Sequence, residues 1–343
     1  RRQNCAGGPR RDNLISRSKY LIPKIPVGPG TLFPIRKAAY GKKMIDDNAL
    51  FDRIAVRQHR QRAAKNIAEH DFLYREIADR LSDRLEDINR RFETVIDIGG
   101  GHGATVLPVA PANIVTGDLS DALLRVSDRP KAVAMDEEFL PFGANTFDLA
   151  ISCLALHWVN DLPGALLQIR RTLKPDGLFM AAILGGDTLI ELRRAFLEAE
   201  AETTGGTSPH TSPVAQIMDG GALLQRAGFA LPVVDTDMLT VTYTDIFALM
   251  RDIRGMGATN AVTARNKTFL RRDTLFAAAA RYQELYADAE GRIPATFQVI
   301  WLTGWAPSDT QQQPLSPGSA QSSLAEALGT KEQAAGEKTD PSN

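Results

Sequence analysis

The chain has 343 residues, 43% hydrophobic and 24% charged, with a formal net charge of −1. That length can bury a sizeable core. The two cysteines, Cys5 and Cys153, exclude a disulfide framework and fit a reducing compartment. No apolar run approaches the roughly 20 residues of a membrane-spanning helix, so no transmembrane segment is expected.

The near-zero net charge conceals an asymmetry. Residues 1–43 hold 11 Lys/Arg and a single acid, Asp12, leaving 29 bases against 40 acids in the remainder. An acidic body argues against nucleic acid as a partner. The basic, Pro- and Gly-containing stretch 1–43 reads either as an organelle-targeting presequence or as an extension foreign to the native protein. No fold argument rests on it.

From Asp46 the pattern turns helical, with Phe51, Ile54 and Ala55 at helix spacing and Arg53, Arg57, Arg60 and Arg62 interleaved. A second helix is expected over about 72–88, with Phe72, Ile77, Leu81, Leu85 and Ile88 on one side. The two helices are expected to cap a ligand cleft. A buried parallel strand, Thr94–Ile98, then runs into Gly99-Gly100-Gly101-His102-Gly103. A glycine turn at a helix N-terminus presents bare N–H groups to a ligand. Taken alone it fits either NAD or S-adenosylmethionine. Asp97 favours the latter, because a carboxylate there repels a pyrophosphate and pairs with the cationic amino-acid end of S-adenosylmethionine.

A second strand, Ile114–Asp118, ends in an acid 17 residues after Gly101, an offset suited to a carboxylate that takes both ribose hydroxyls. Helix capping at that point falls better to Ser120. A third strand, 132–135, leads into Asp136-Glu137-Glu138-Phe139-Leu140-Pro141-Phe142. Its acids can accept the exocyclic amine of adenine, with Phe139 and Leu140 along the ring. Acids ending three successive strands decide for S-adenosylmethionine. The cofactor-binding set is Asp97, Gly99, Gly101, Gly103, Asp118, Asp136, Glu137 and Leu156.

The fourth strand, Phe147–Cys153, precedes Leu156-His157-Trp158, at the strand end where open α/β sheets bind ligands. His157 is one candidate catalytic residue, although a lone histidine is more often structural. Asn160 and Asp161 are expected to cap a helix over 163–173, and Lys174-Pro175-Asp176-Gly177 to turn into a fifth strand, 178–184. That strand ends in Gly185-Gly186-Asp187, leading to a helix over 189–202. Asp187 is the second catalytic candidate. With Glu191 it is placed on a lip that could receive a cationic substrate, unless it caps the helix. Residues 203–213, with His210, are long enough for a lid. Two antiparallel strands, 231–236 and 296–303, are expected to flank a helical insertion at about 243–291, with helices over 245–254 and 271–287. Beyond Trp305 the composition predicts a disordered tail.

The chain is thus expected to be a Rossmann-like α/β protein, its sheet mostly parallel with an antiparallel edge, comprising one domain over 46–305. No metal-ligand spacing and no G-x-S-x-G elbow appears. The D-x-G-x-G-x-G loop, Asp118, D-E-E-x-L-P-F, H-W and L-K-P-D-G resemble the class I S-adenosylmethionine-dependent methyltransferases. F-D-R at 51–53, L-H-W-V-N-D-L-P at 156–163, G-G-D-T-L-x-E-L-R at 185–193, S-P-H at 208–210 and R-D-T at 272–274 resemble more narrowly the mitochondrial complex I assembly factor 5 family and its bacterial relatives. That resemblance implies an arginine hydroxylase acting on an iron–sulfur subunit of complex I. It also implies peripheral membrane association through that partner, and a location in a bacterial cytoplasm or, alternatively, a mitochondrial matrix. Relatives commonly carry Cys and Arg where this chain has Gly100 and His102. A second resemblance, to the malonyl-carrier-protein O-methyltransferases of biotin synthesis, implies acceptor methylation instead. A third expectation is a non-catalytic assembly chaperone that uses the pocket structurally.

Overall fold

The computed structural model describes residues 49–311 apart from 109, 128, 207 and 212–219, together with a few positions beyond 311. The basic segment 1–43, the end of the expected lid and most of the expected tail lie outside the described residues. The chain divides into two compact units, residues 1–307 and 308–343. In the second, Ser308–Gln311 forms a turn in which the Gln311 N–H donates to the Ser308 carbonyl at 3.2 Å.

Seven strands form one sheet: β1 (Thr94–Ile98), β2 (Asn113–Asp118), β3 (Ala132–Ala134), β4 (Phe147–Cys153), β5 (Leu173–Leu184), β6 (Ala230–Tyr243) and β7 (Ile293–Trp305). Their order is β3-β2-β1-β4-β5-β7-β6, with β1 to β5 parallel and β7 antiparallel to both of its neighbours. This is the Rossmann-like sheet with an antiparallel edge that the sequence predicts. The β-branched and aromatic runs explain the strands, and their two-residue period sends alternate side chains to opposite faces. Val95, Leu149, Ile151 and Met180 enter one core, whereas Ile96, Ala150, Phe179 and Ala181 enter the other.

Eight helices are placed around the sheet among the described residues: α1 (Arg53–Ala63), α2 (Phe72–Glu86), α3 (Asp121–Val126), α4 (Leu162–Thr172), α5 (Ile190–Thr204), α6 (Gly220–Arg226), α7 (Ile246–Gly255) and α8 (Arg272–Tyr286). The first core receives α2, α5 and α8; the second receives α4 and α6. Asp52, Ser120, Asp161 and Asp245 cap α1, α3, α4 and α7 by accepting a backbone N–H three residues on. Asn160 does no capping. Its amide instead bonds both the N–H (2.7 Å) and the carbonyl (3.1 Å) of Phe51, tying the start of α1 to the end of β4.

Four expectations are corrected. No α-helix follows the glycine turn: Gly100–His102 is a single 3₁₀ turn, and the link to β2 is irregular where described, as Pro108 and Pro111 require. α1 caps the cleft, whereas α2 meets it at its first turn, where Tyr74 stacks on His102 of the glycine turn at 4.3 Å. The stripe Leu73, Ile77, Leu81 and Leu85 on α2 is buried against the sheet face, each side chain contributing about 1.5–3 kcal/mol. The expected 174–177 turn becomes a bulge within β5, where the register with β4 jumps from Leu173 to Leu178 and Asp176 takes a φ of 61°. The last two strands run longer than read, 14 residues in β6 and 13 in β7, because they pair with each other over most of their length.

Candidate functional site

In an open α/β sheet ligands gather where the strand order reverses. Here that point is the carboxyl end of β1, flanked by β2 on one side and β4 on the other. Gly99 leaves the strand with φ 77° and donates its N–H to the Gly117 carbonyl at 2.7 Å. Gly103 closes the turn with φ 76°. A Cβ on Gly99 would meet the Ala155 Cβ at 2.0 Å, and one on Gly100 would lie 2.1 Å from Asp97 Oδ2. The turn is therefore a backbone surface pressed directly onto the acid beneath it.

Asp97 is fully buried, and neither carboxylate oxygen has a hydrogen-bond partner among the described residues. The neighbouring Thr105 hydroxyl is likewise unpartnered. Burial pushes the Asp97 carboxyl up to about 7, against the opposing charge of Arg129. Such a group wants a cation.

Asp118 is also buried, but unlike Asp97 it has hydrogen-bond partners on both oxygens. Oδ1 accepts the Ser120 N–H at 2.7 Å, and Oδ2 accepts the Gly101 N–H at 3.2 Å. Arg60 of α1 approaches Oδ1 at 3.4 Å and also pairs with Glu137. Arg53, two turns earlier on α1, bonds Asp136 at 2.6 Å, Glu137, and the Trp158 carbonyl at 3.0 Å. Burial raises the Asp118 carboxyl, with Arg60 opposing and the Glu137 charge adding to the rise. For Glu137 burial acts upward too, but Arg60 and Arg53 win and hold it near 2. Two arginines of one helix thus neutralise the acids at the ends of β2 and β3.

Beside this cleft lies a cavity of about 520 Å³. Its walls come from α1 (His59, Arg62), the end of β4 (His157, Trp158), the start of α5 and the insertion helix α7. Most of the lining is apolar, and among the described residues it contains no Asp or Glu. Burial and then the Arg60 charge push His157 down to about 3, so its imidazole is neutral. His210 also lines the cavity, stacked on Phe196 at 4.6 Å and paired with Glu200 at 3.1 Å.

Comparison with known proteins fits this geometry. A family profile described as a methyltransferase domain matches residues 96–181, the span from β1 into β5. The mitochondrial arginine-hydroxylase NDUFAF5 of Danio rerio is 43% identical over 286 residues, covering 81% of this chain and 89% of that protein. The Mus musculus protein of the same name is 46% identical over 288 residues, covering 81% and 83%. The chain belongs to the NDUFAF5 family of the class I S-adenosylmethionine-dependent methyltransferase superfamily. It is an enzyme of that superfamily. A malonyl-[acyl-carrier protein] O-methyltransferase of Xylella fastidiosa (strain M23) is more distant, at 34% identity over 76% of this chain and 90% of its own length.

Within this NDUFAF5-family chain, the structure brings together Asp97, Gly99, Gly101, Gly103, Asp118, Asp136 and Glu137 at one end of the sheet. Other expected site residues fall elsewhere. Leu156 is fully buried in the second core with Ile98 and Met135. Phe139 is exposed. Asp187 is exposed and lines neither cleft nor cavity, and the residue preceding α5 is Leu189, with φ 54° and no side-chain cap. Glu191 is buried, accepting the Thr296 N–H at 3.2 Å and the Thr296 hydroxyl. It fastens α5 to β7 and receives no substrate. His157 does reach the cavity. Arg53, Arg60 and His59 were not expected at the site, because on a helix carrying four arginines they look like a solvated face.

Proposed function

We propose that the protein binds S-adenosylmethionine in the β1–β3 cleft and modifies an arginine side chain of a complex I iron–sulfur subunit, the modification being the hydroxylation in its relatives' name. The buried, partnerless carboxylate of Asp97 carries the cofactor half of this reading. It suits the cofactor's amino group, and the Cβ-free turn above it suits close approach. Asp118 is positioned for ribose hydroxyls and Asp136 for the adenine amine. When bound, S-adenosylmethionine supplies a methyl group on a positively charged sulfur. The hydroxylation is a two-electron oxidation whose oxygen atom would come from a separate co-reactant, molecular oxygen with an external reductant. The chain's own residues bind, orient and exclude water. The NDUFAF5 relatives are named as mitochondrial proteins, which favours the matrix over a bacterial cytoplasm. Among the described residues no helix is long and apolar enough to cross a membrane.

The decisive experiment is mass spectrometry of the iron–sulfur subunit from cells with and without this gene. A gain of one oxygen atom on an arginine, lost with the gene and with Asp118→Ala, is the expected result. An unchanged arginine removes the reading. Assembly that persists in Asp118→Ala after cofactor binding is lost would make the protein a chaperone. A second reading, O-methylation of a carrier-protein carboxylate, is favoured by Arg62 and Arg254 in a lining without Asp or Glu among the described residues. Failure to complement a biotin-synthesis methyltransferase knockout would dismiss it.

The Asp97 carboxyl adds a pH signature. Below about pH 7 it holds a proton and cannot pair with an amine, so S-adenosylhomocysteine affinity should rise about tenfold per pH unit and level off above about 7. Isothermal titration between about pH 5.5 and about pH 8 measures this. Asp97→Asn should flatten the profile at the weak end, and a flat wild-type profile would refute the pairing.

A further inference from the structure

Of the three imidazoles that line the cavity, His210 is paired with Glu200, and the hydrogen bonds of the other two assign them opposite roles. His157 Nδ1 lies 3.5 Å from the Leu184 N–H and faces it as an acceptor, so the neutral ring carries its proton on Nε2. His59 is reversed. Its Nδ1 lies 3.0 Å from the Thr259 carbonyl oxygen, and an oxygen without hydrogen can only accept. Nδ1 must therefore hold the proton, and on a neutral ring Nε2 holds a lone pair. Burial first, then the Arg62 charge, keep His59 below the ordinary imidazole range, with Arg265 acting the same way and Asp52 against it. No described residue donates to Nε2.

In a cavity whose lining has no carboxylate among the described residues, this oriented lone pair is a ready acceptor for a protic head group. The surrounding wall, with Leu73, Met250, Ile253 and Met256, suits an aliphatic stem. We propose that His59 is the acceptor-binding residue of the enzyme, its Nε2 taking a hydrogen bond from an N–H of the substrate guanidinium. The inference rests on the arginine reading above and deepens it. A neutral imidazole adds no charge to the two cations of the lining, Arg62 and Arg254, which a guanidinium must meet there, and His157 Nε2–H remains a donor on the same wall. A carboxylate acceptor, by contrast, has no proton to offer His59.

The test uses the whole protein with S-adenosylhomocysteine and three Nα-acetylated amino-acid amides as probes. These are arginine, citrulline (protic but uncharged) and norleucine (the stem without the head). Binding is followed through the imidazole nitrogen resonances. The arginine amide should shift His59 Nε2, whereas the norleucine amide should bind without shifting it. His59→Asn keeps a donor near Thr259 but removes the Nε2 acceptor. It should weaken the arginine amide about tenfold or more, as expected for loss of a charge-assisted hydrogen bond, and leave norleucine unchanged. His59→Gln, with an amide oxygen near the Nε2 position, should recover part of the loss. The proposal is overturned if arginine amide binds His59→Asn as tightly as wild type, or binds wild type without moving Nε2. If arginine amide does not bind wild type at all, the arginine reading falls. The role of His59 is then decided by citrulline amide, whose N–H groups must still shift Nε2 for the proposal to stand.

Discussion

Replacing Arg60 by methionine should be among the most destabilising single changes in this protein, lowering the unfolding free energy by about 3–5 kcal/mol at neutral pH. Arg60 is 5% exposed and stands between Asp118 and Glu137, which are 1% and 0% exposed. Methionine fills similar volume but leaves Asp118 without a cation and Glu137 with Arg53 alone. The comparison that isolates charge from packing is Arg60→Met with Glu137→Gln. Removing both partners leaves no orphaned Glu137 charge, so the double variant should recover much of the loss. The pH dependence has a definite sign. Glu137 is held near 2 in the folded protein against an ordinary 4.5, so its pairs contribute fully above about 4.5. That contribution fades as pH falls toward about 2. The deficit of Arg60→Met in urea titrations should therefore be complete at pH 7 and shrink in acid. A loss below about 1 kcal/mol at pH 7 would mean that water, not Arg60, balances these acids.

The same pairings show why part of the site could not be read from the sequence. Asp97, the glycine turn and Asp118 were legible because each follows a β-branched run, and chain order places consecutive parallel strands side by side. Arg53 and Arg60 were not. Their partners lie 83 and 77 residues away, and only the packing of α1 over β2 and β3 makes them site residues. His59 had no local signal at all, since its role depends on the Thr259 carbonyl, 200 residues on. Asp187 and Glu191 misled for the converse reason. A glycine pair followed by acids resembles a flexible lip, yet Gln298 accepts the Asp187 N–H at 3.0 Å and Thr296 takes Glu191. β7 thus holds the segment in place. The missing helix after Gly103 was legible in Pro108 and Pro111, and the glycine turn outweighed them in the reading.

Gly99→Ala should abolish S-adenosylhomocysteine binding and lower stability by about 2–4 kcal/mol, the combined result of backbone strain and overpacking. The two contributions are separable. A left-handed φ of 77° costs an L-residue roughly 1–2 kcal/mol wherever it occurs. The new methyl would also stand 2.0 Å from the Ala155 Cβ, a separation no packing allows, while the next atom, the Ala155 Cα, lies at 3.5 Å. Ala155→Gly removes the first obstacle and leaves the second at ordinary contact distance. The Gly99→Ala/Ala155→Gly double variant should therefore regain the packing share and keep only the strain. Gly103→Ala is the control. Its φ is 76°, but the nearest atom to an added Cβ is the Ser127 Cβ at 3.1 Å, so strain dominates and its loss should match that of the double variant. If Gly99→Ala were instead no worse than Gly103→Ala, the turn would be free to shift away from β4, and the close seat over Asp97 would not be the rigid half of the cofactor cleft.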